Sequence, residues 1–124
     1  MEVENALVNQ IGGSHYKSLQ MQPIELIVKA ELSYIQGNIV KYITRYKNKN
    51  GKQDIQKCMH YAELAIELKS CGPISKSLGL AYSYCKVNNL SKYQTNIIVA
   101  CAQDDYYQVI RQCKLLLKAE NYAD

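Results

Sequence analysis

Apolar residues recur at intervals of three to four over most of the chain, and no stretch alternates with period two for long enough to make a strand. The first pattern opens at Gln22-Pro23-Ile24-Glu25. Proline at a first helical position already has the helical φ and gives up no needed N–H, and Glu25 meets the positive end of the dipole, so a helix is predicted from Pro23 to about Leu32. A second helix is predicted after Gln36-Gly37-Asn38, with Ile35, Ile39, Ile43 and Tyr46 as its apolar set, stopping in the turn-favouring run Asn48-Lys49-Asn50-Gly51. Ile55, Met59, Ala62 and Ile66 make the stripe of a third, capped by Asp54 and ended at Ser70-Cys71-Gly72-Pro73. Beyond that stop, Ile74, Leu78, Ala81 and Cys85 share a face. Two capping-box spacings follow, Ser91 to Gln94 and Asp105 to Gln108, ahead of the apolar runs that begin at Ile97 and Val109.

The predicted fold class is therefore all-α, a compact bundle of five or six short helices with an irregular N-terminal arm. Three segments are expected: the arm over 1–22, a three-helix unit over 23–71 and a helical extension over 74–124. The two halves are alike in helix count alone, and no repeat is read.

With 124 residues, 48% hydrophobic and 21% charged, the chain suits one domain with a sizeable core. All the aromatic residues are tyrosines, 11 of them, so the core is expected to be edged with hydroxyl hydrogen bonds. Five scattered cysteines, none in a C-x-x-C pair, read as buried apolar side chains in a reducing cytosol and not as a disulfide framework or zinc site. The acidic N-terminus and the lack of a long apolar run predict no signal peptide, no membrane span and a cytoplasmic location.

Charge changes the picture. The net charge of +4 is mild for a duplex-DNA binder, but residues 37–60 hold six Lys or Arg against Asp54 alone. A local charge of this kind fits a phosphate-bearing ligand better than a broad polyanion; a solvated basic turn is the alternative. On a helix Asn38, Lys41 and Arg45 share a face, as do Asp54, Lys57 and Tyr61 on the next, and antiparallel packing would bring the two stripes to one rim. Arg offers a bidentate fork for phosphate oxygens, Lys a mobile point charge and Asn a reader of sugar or base. The competing reading is that these cations flank the buried stripes and reach out to water. In the arm, Gly12-Gly13-Ser14-His15-Tyr16-Lys17 brings permissive backbone, an imidazole, an aromatic plane and a cation together, although it is no Walker A loop. No G-x-S-x-G, paired E-x-x-E helices or His/Cys metal spacing is present, so no metal site is assigned.

The segments His15-Tyr16, Gln22-Pro23-Ile24-Glu25-Leu26-Ile27, Gly37-Asn38-Ile39-Val40-Lys41-Tyr42-Ile43-Thr44-Arg45-Tyr46, Lys49-Asn50-Gly51 and Asp54-Ile55-Gln56-Lys57-Cys58 with Tyr61 resemble, in order and spacing, the SaV-like family of small phage proteins. That family includes a coliphage nucleoside monophosphate kinase without a Walker motif. The resemblance covers residues 15 to about 69 and implies a phage-encoded nucleotide-binding protein in the infected cell's cytoplasm. It further implies that a nucleoside triphosphate donates a phosphoryl group to a deoxynucleoside monophosphate, with no covalently bound cofactor and the need for Mg²⁺ left open. Under it, Lys41, Arg45, Lys49 and Lys57 would neutralise the transferring charge. His15 and Tyr16 would close over base or phosphate, Asn38 would orient the ligand, Lys17 and Tyr61 would join in binding the nucleotide, and Asp54 would hold a cation or position Lys57. This chain departs from the family at Lys47-Asn48 and Cys58.

Two other uses compete with the kinase. One is a sponge that sequesters a host nucleotide signal without turnover, and the other a helix-turn-helix around Gly79 within Ser75 to Asn96, whose three lysines at 76, 86 and 92 are few for DNA. Homo-oligomerisation is expected from the Tyr-bearing helical surface at 104–119, and the extension is expected to serve as an assembly surface, a lid or a separate binding element.

Overall fold

The computed structural model describes residues 5–9, 11, 13, 16, 19–72 and 77–121. Within them lie six α-helices and no strand: α1 (Pro23–Lys29), α2 (Tyr34–Arg45), α3 (Lys52–Leu68), α4 (Ser77–Val87), α5 (Lys92–Ala102) and α6 (Tyr106–Ala119), so the all-α expectation holds. The Gly-Gly-Ser-His-Tyr segment falls outside the described residues except for Gly13 and Tyr16, and so do Lys17, Pro73 and Ile74.

Local chemistry sets the starts. At α1, Glu25 Oε2 accepts the Gln22 N–H at 2.7 Å, with Pro23 in the first turn. The predicted box at Ser91 forms, with Ser91 Oγ accepting Gln94 N–H at 3.3 Å and Gln94 Oε1 accepting Ser91 N–H at 2.9 Å, whereas at Asp105 only the cap half is made, Asp105 Oδ1 accepting Gln108 N–H at 3.2 Å. The second helix begins earlier than predicted, because Ser33 and Gln36 make a further reciprocal box at 3.1 and 2.9 Å. Gly37 is consequently inside α2, where its missing side chain lets Ile27 approach; a Cβ there would lie 3.3 Å from Ile27 Cδ1. Asp54 is not the cap of α3, a place held by Gly51, but the third helical residue, fully buried.

Four helix-ending turns lack glycine. Glu31, Lys69, Asn89 and Asp104 all adopt left-handed φ between 52° and 57°, and in each case the following N–H reaches back five residues, as Leu32 does to the Ile27 carbonyl at 3.0 Å. Gly79 sits within α4 with open space around it, and the α4–α5 turn lies at 88–91, so there is no turn around Gly79.

One core runs through both halves, from Leu26, Ile39, Ile43 and Ile55 to Tyr84, Ile97, Val109 and Leu116. The two capping glutamines join them. Gln36 Nε2 donates to the Cys101 carbonyl at the end of α5 at 3.1 Å, and Gln94 Nε2 donates to the Ile43 carbonyl near the end of α2 at 2.9 Å. Both glutamines are buried, so each is a satisfied polar clamp across the helix pair. Thr44 and Tyr84 hydroxyls meet at 2.7 Å, and Tyr46 donates to Glu120 at 3.0 Å. Cys58, Cys85, Cys101 and Cys113 are buried, with desolvation pushing the Cys85 thiol up to about 11, whereas Cys71 is exposed, against the expectation for all five.

The helix contacts have an internal order that the sequence reading missed. α1 packs on α2 and α4, α2 on α3 and α5, α4 on α5, α5 on α6, and α3 on α6. Exchanging α1 with α4, α2 with α5 and α3 with α6 returns the same set, which corrects the reading that the halves share only a helix count.

A second knot closes the linker. Asp104 accepts from Gly72 N–H at 2.9 Å, from Tyr106 Oη at 2.7 Å and from Gln36 Nε2 at 3.3 Å. A Cβ on Gly72 would overlap the Gln36 amide, which is held at both ends and cannot swing away. Gly72→Ala should therefore cost about 2–3 kcal/mol in urea unfolding, and a loss under about 0.5 kcal/mol would contradict this packing.

Candidate functional site

The α2 stripe that escapes the core carries Tyr34, Asn38, Lys41, Tyr42 and Arg45, and the facing stripe of α3 carries Asp54, Lys57 and Tyr61. The two stripes meet on the ring of Tyr42. Lys41 Nζ lies 4.9 Å from its centroid, Arg45 Cζ 4.6 Å and Lys57 Nζ 4.8 Å. Three cationic heads from two helices thus share one aromatic ring, within cation–π range.

A carboxylate anchors one of them. Arg45 Nε and Nη2 donate to Asp54 Oδ2 and Oδ1, both at 3.3 Å, in a bidentate fork, and Asn50 N–H donates to Asp54 Oδ2 at 3.3 Å. The Asp54 side chain is 0% exposed and that of Arg45 14%. Burial pulls the Arg45 pKa down, but the hydrogen bonds and charge of Asp54 outweigh it and the net shift is upward. This is the only ion pair among the described residues, so neither Lys41 nor Lys57 has a carboxylate partner there. Three positive charges and one negative leave a local excess of two.

The Tyr16 hydroxyl reaches this pair from the arm. Burial raises its pKa, and the neighbouring Arg45 guanidinium, by charge and hydrogen bond, works against that rise. Tyr61 stacks on Tyr42, with centroids 6.0 Å apart and planes at 16°, and meets Tyr34 edge-on at 6.3 Å. Desolvation first, and a hydrogen bond with Tyr34 second, raise the Tyr61 pKa. Tyr34 is 77% exposed, so the aromatic ladder ends in an open ring face.

The structure thus brings together Lys41, Arg45, Asp54, Lys57, Tyr16 and Tyr61. Asn38 lies on the same stripe, but its amide donates to the Tyr34 carbonyl of its own helix at 2.9 Å. Lys49 is exposed in the α2–α3 connection and is not among the cations on Tyr42. His15 and Lys17 lie outside the described residues. Asp54, expected to position Lys57 or hold a cation, forms its ion pair with Arg45. Sequence reasoning missed Tyr42 and Tyr34. The signal was available in the spacing, since Tyr42 lies three residues before Arg45 and beside Lys41, with Tyr34 one turn before Asn38.

Residues 8–63 match the model of DUF3310, a protein family of unknown function. The DUF3310 match contains Tyr16, α1, α2 and α3 as far as Glu63, hence every side chain of the cluster; residues 77–121 lie beyond it. No curated protein and no solved structure matches the chain.

The division of labour within the cluster predicts an asymmetry. Arg45→Ala leaves a fully buried carboxylate unpaired and should cost about 3–5 kcal/mol. Lys41→Met and Lys57→Met relieve like-charge crowding and should shift stability by less than about 0.5 kcal/mol, in the stabilising direction. Equal losses for all three in urea unfolding would refute the assignment.

Proposed function

We propose that this protein binds a nucleotide, with the phosphate held between Lys41 and Lys57 above the Tyr42 edge. The observation that carries the reading is the gathering of three cationic heads within 5 Å of one ring centroid while their single carboxylate is already engaged. Such crowding costs energy in the free protein and is repaid when an anion of charge near −2 enters. The aromatic ladder beside it suits the rest of a nucleotide. The exposed Tyr34 face can stack a base, an interaction worth about 1–3 kcal/mol per base. The resemblance to SaV-like phage proteins adds to this reading, with the infected cell's cytoplasm as its setting.

Between the two uses of such a site, retention of the nucleotide is favoured over phosphoryl transfer. Asp54, the carboxylate paired with these cations among the described residues, accepts from Arg45 and the Asn50 backbone and has a fully buried side chain, so it is a positioning residue for Arg45 and presents no exposed oxygen to a ligand. This supports a reading in which the protein sequesters a nucleotide signal, an anti-defence role. The kinase is the second reading, because clustered Lys and Arg are most of what a loose phosphoryl transition state requires. Self-association would use the open groove of about 1230 Å³ between α3 and α6, where Met59, Ile110 and Leu115 line the wall. No α-helix among the described residues is long and apolar enough to cross a membrane, which fits a cytoplasmic setting.

Calorimetric titration with nucleoside mono-, di- and triphosphates, cyclic nucleotides and inorganic phosphate tests the site. Saturable binding of a nucleotide, weakened at least about tenfold by Lys41→Met/Lys57→Met without loss of melting temperature, is expected. Binding unaffected by that double substitution, or none with any nucleotide, contradicts the proposal. Chromatography of the same mixtures separates the uses: unchanged ligand supports retention, and new diphosphate assigns the kinase.

A further inference from the structure

Side chains 58 positions apart do the same work in the two halves. Leu32 and Leu90 follow left-handed Glu31 and Asn89; Ser33 and Ser91 are the N-caps of α2 and α5; Gln36 and Gln94 complete their boxes. Asn38 and Asn96, then Ile39 and Ile97, continue the register with identical residues, and Val40 with Ile98 is buried in both halves. The backbone repeats as well: Leu32 N–H reaches the Ile27 carbonyl and Leu90 N–H the Cys85 carbonyl, both at 3.0 Å. The two clamps are images of each other, since Gln36 to Cys101 and Gln94 to Ile43 exchange under the same shift. With the helix contacts, this is an approximate two-fold axis between α2 and α5.

From this relation we infer that α4–α6 are a diverged copy of the α1–α3 unit, and that the face of α2 and α3 now covered by α5 and α6 is a self-pairing surface whose other occupant is a second copy of α1–α3. A two-fold interface is self-complementary, so a residue that clamps its partner is clamped by the same residue in return. Gln36 and Ile43 meet that condition, because the clamp that Gln36 makes to residue 101 is the one that residue 43 receives. The copy has lost the cationic cluster: Val99, Ala100 and Gln103 stand where Lys41, Tyr42 and Arg45 stand in the first half. The extension is thereby a built-in partner, present to bury an apolar face and equipped for no second anion. The inference rests on side-chain register and hydrogen bonds and is independent of the ligand reading.

The test uses the full chain with a specific protease site inserted in the 73–76 linker. After cleavage of the folded protein, native mass spectrometry should show the N-terminal and C-terminal pieces held together. After unfolding and refolding of the cleaved mixture, a species of two N-terminal pieces should appear beside that pair. Gln36→Leu in the same chain should deplete the N–N species more than the N–C species by at least about tenfold, because it removes two clamps from the first and one from the second. Recovery of N–C pairs and single N-terminal pieces alone overturns the inference, as does equal depletion of both species by Gln36→Leu.

Discussion

The buried fork between Arg45 and Asp54 fixes the geometry on which the site depends. A carboxylate with no exposure cannot stay charged without partners, and Asp54 finds them in a guanidinium from α2 and a backbone N–H of the connecting turn. That requirement sets the distance and rotation of α2 against α3. Once Arg45 is drawn over Tyr42, Lys41 on the adjoining position and Lys57 one turn after Asp54 fall on the same ring. Structural necessity and the proposed anion site therefore share one arrangement, with Arg45 serving the first and the two lysines the second.

The far side of α2 obeys a different constraint. A short three-helix unit has too little interior to bury its apolar face alone, and here the second half supplies the missing surface through Gln36 and Gln94. Each amide satisfies its own helix start with the oxygen and the opposite helix with the nitrogen. Loss of either leaves buried polar groups on both helices, so helix capping and the packing of the halves are coupled. The charged rim and the clamped interface occupy opposite sides of α2, so Lys41 and Lys57 can vary without disturbing the clamps.

Much of the fold was legible because its signals are local. Proline at position 23, the Ser91–Gln94 box and the stripe through Ile55 and Ala62 carry their own physical cause. The starts and ends that were misread turn on features that local pattern understates: the Ser33–Gln36 box starts α2 ahead of the predicted Gln36-Gly37-Asn38, and left-handed Glu31 and Lys69 end helices without glycine. Of the site, the convergence of Lys41, Arg45 and Lys57 was readable from spacing. The role of Asp54 was not, since its burial is decided by tertiary packing, and the ring that collects the cations was overlooked among 11 tyrosines. The inferred duplication escaped because the second half lacks the charged positions where it would be easiest to see. The charged half of the pattern survives in one copy only, while the capping residues persist in both.

In the proposed complex Lys41 and Lys57 face one anion. A crystal structure of the protein with a bound nucleotide tests it most directly. The account predicts phosphate oxygens within about 3.2 Å of both Nζ atoms, with Arg45 still forked to Asp54. A nucleotide whose phosphate lies away from α2 and α3, or the two ammonium groups turned to opposite sides in the complex, would contradict it.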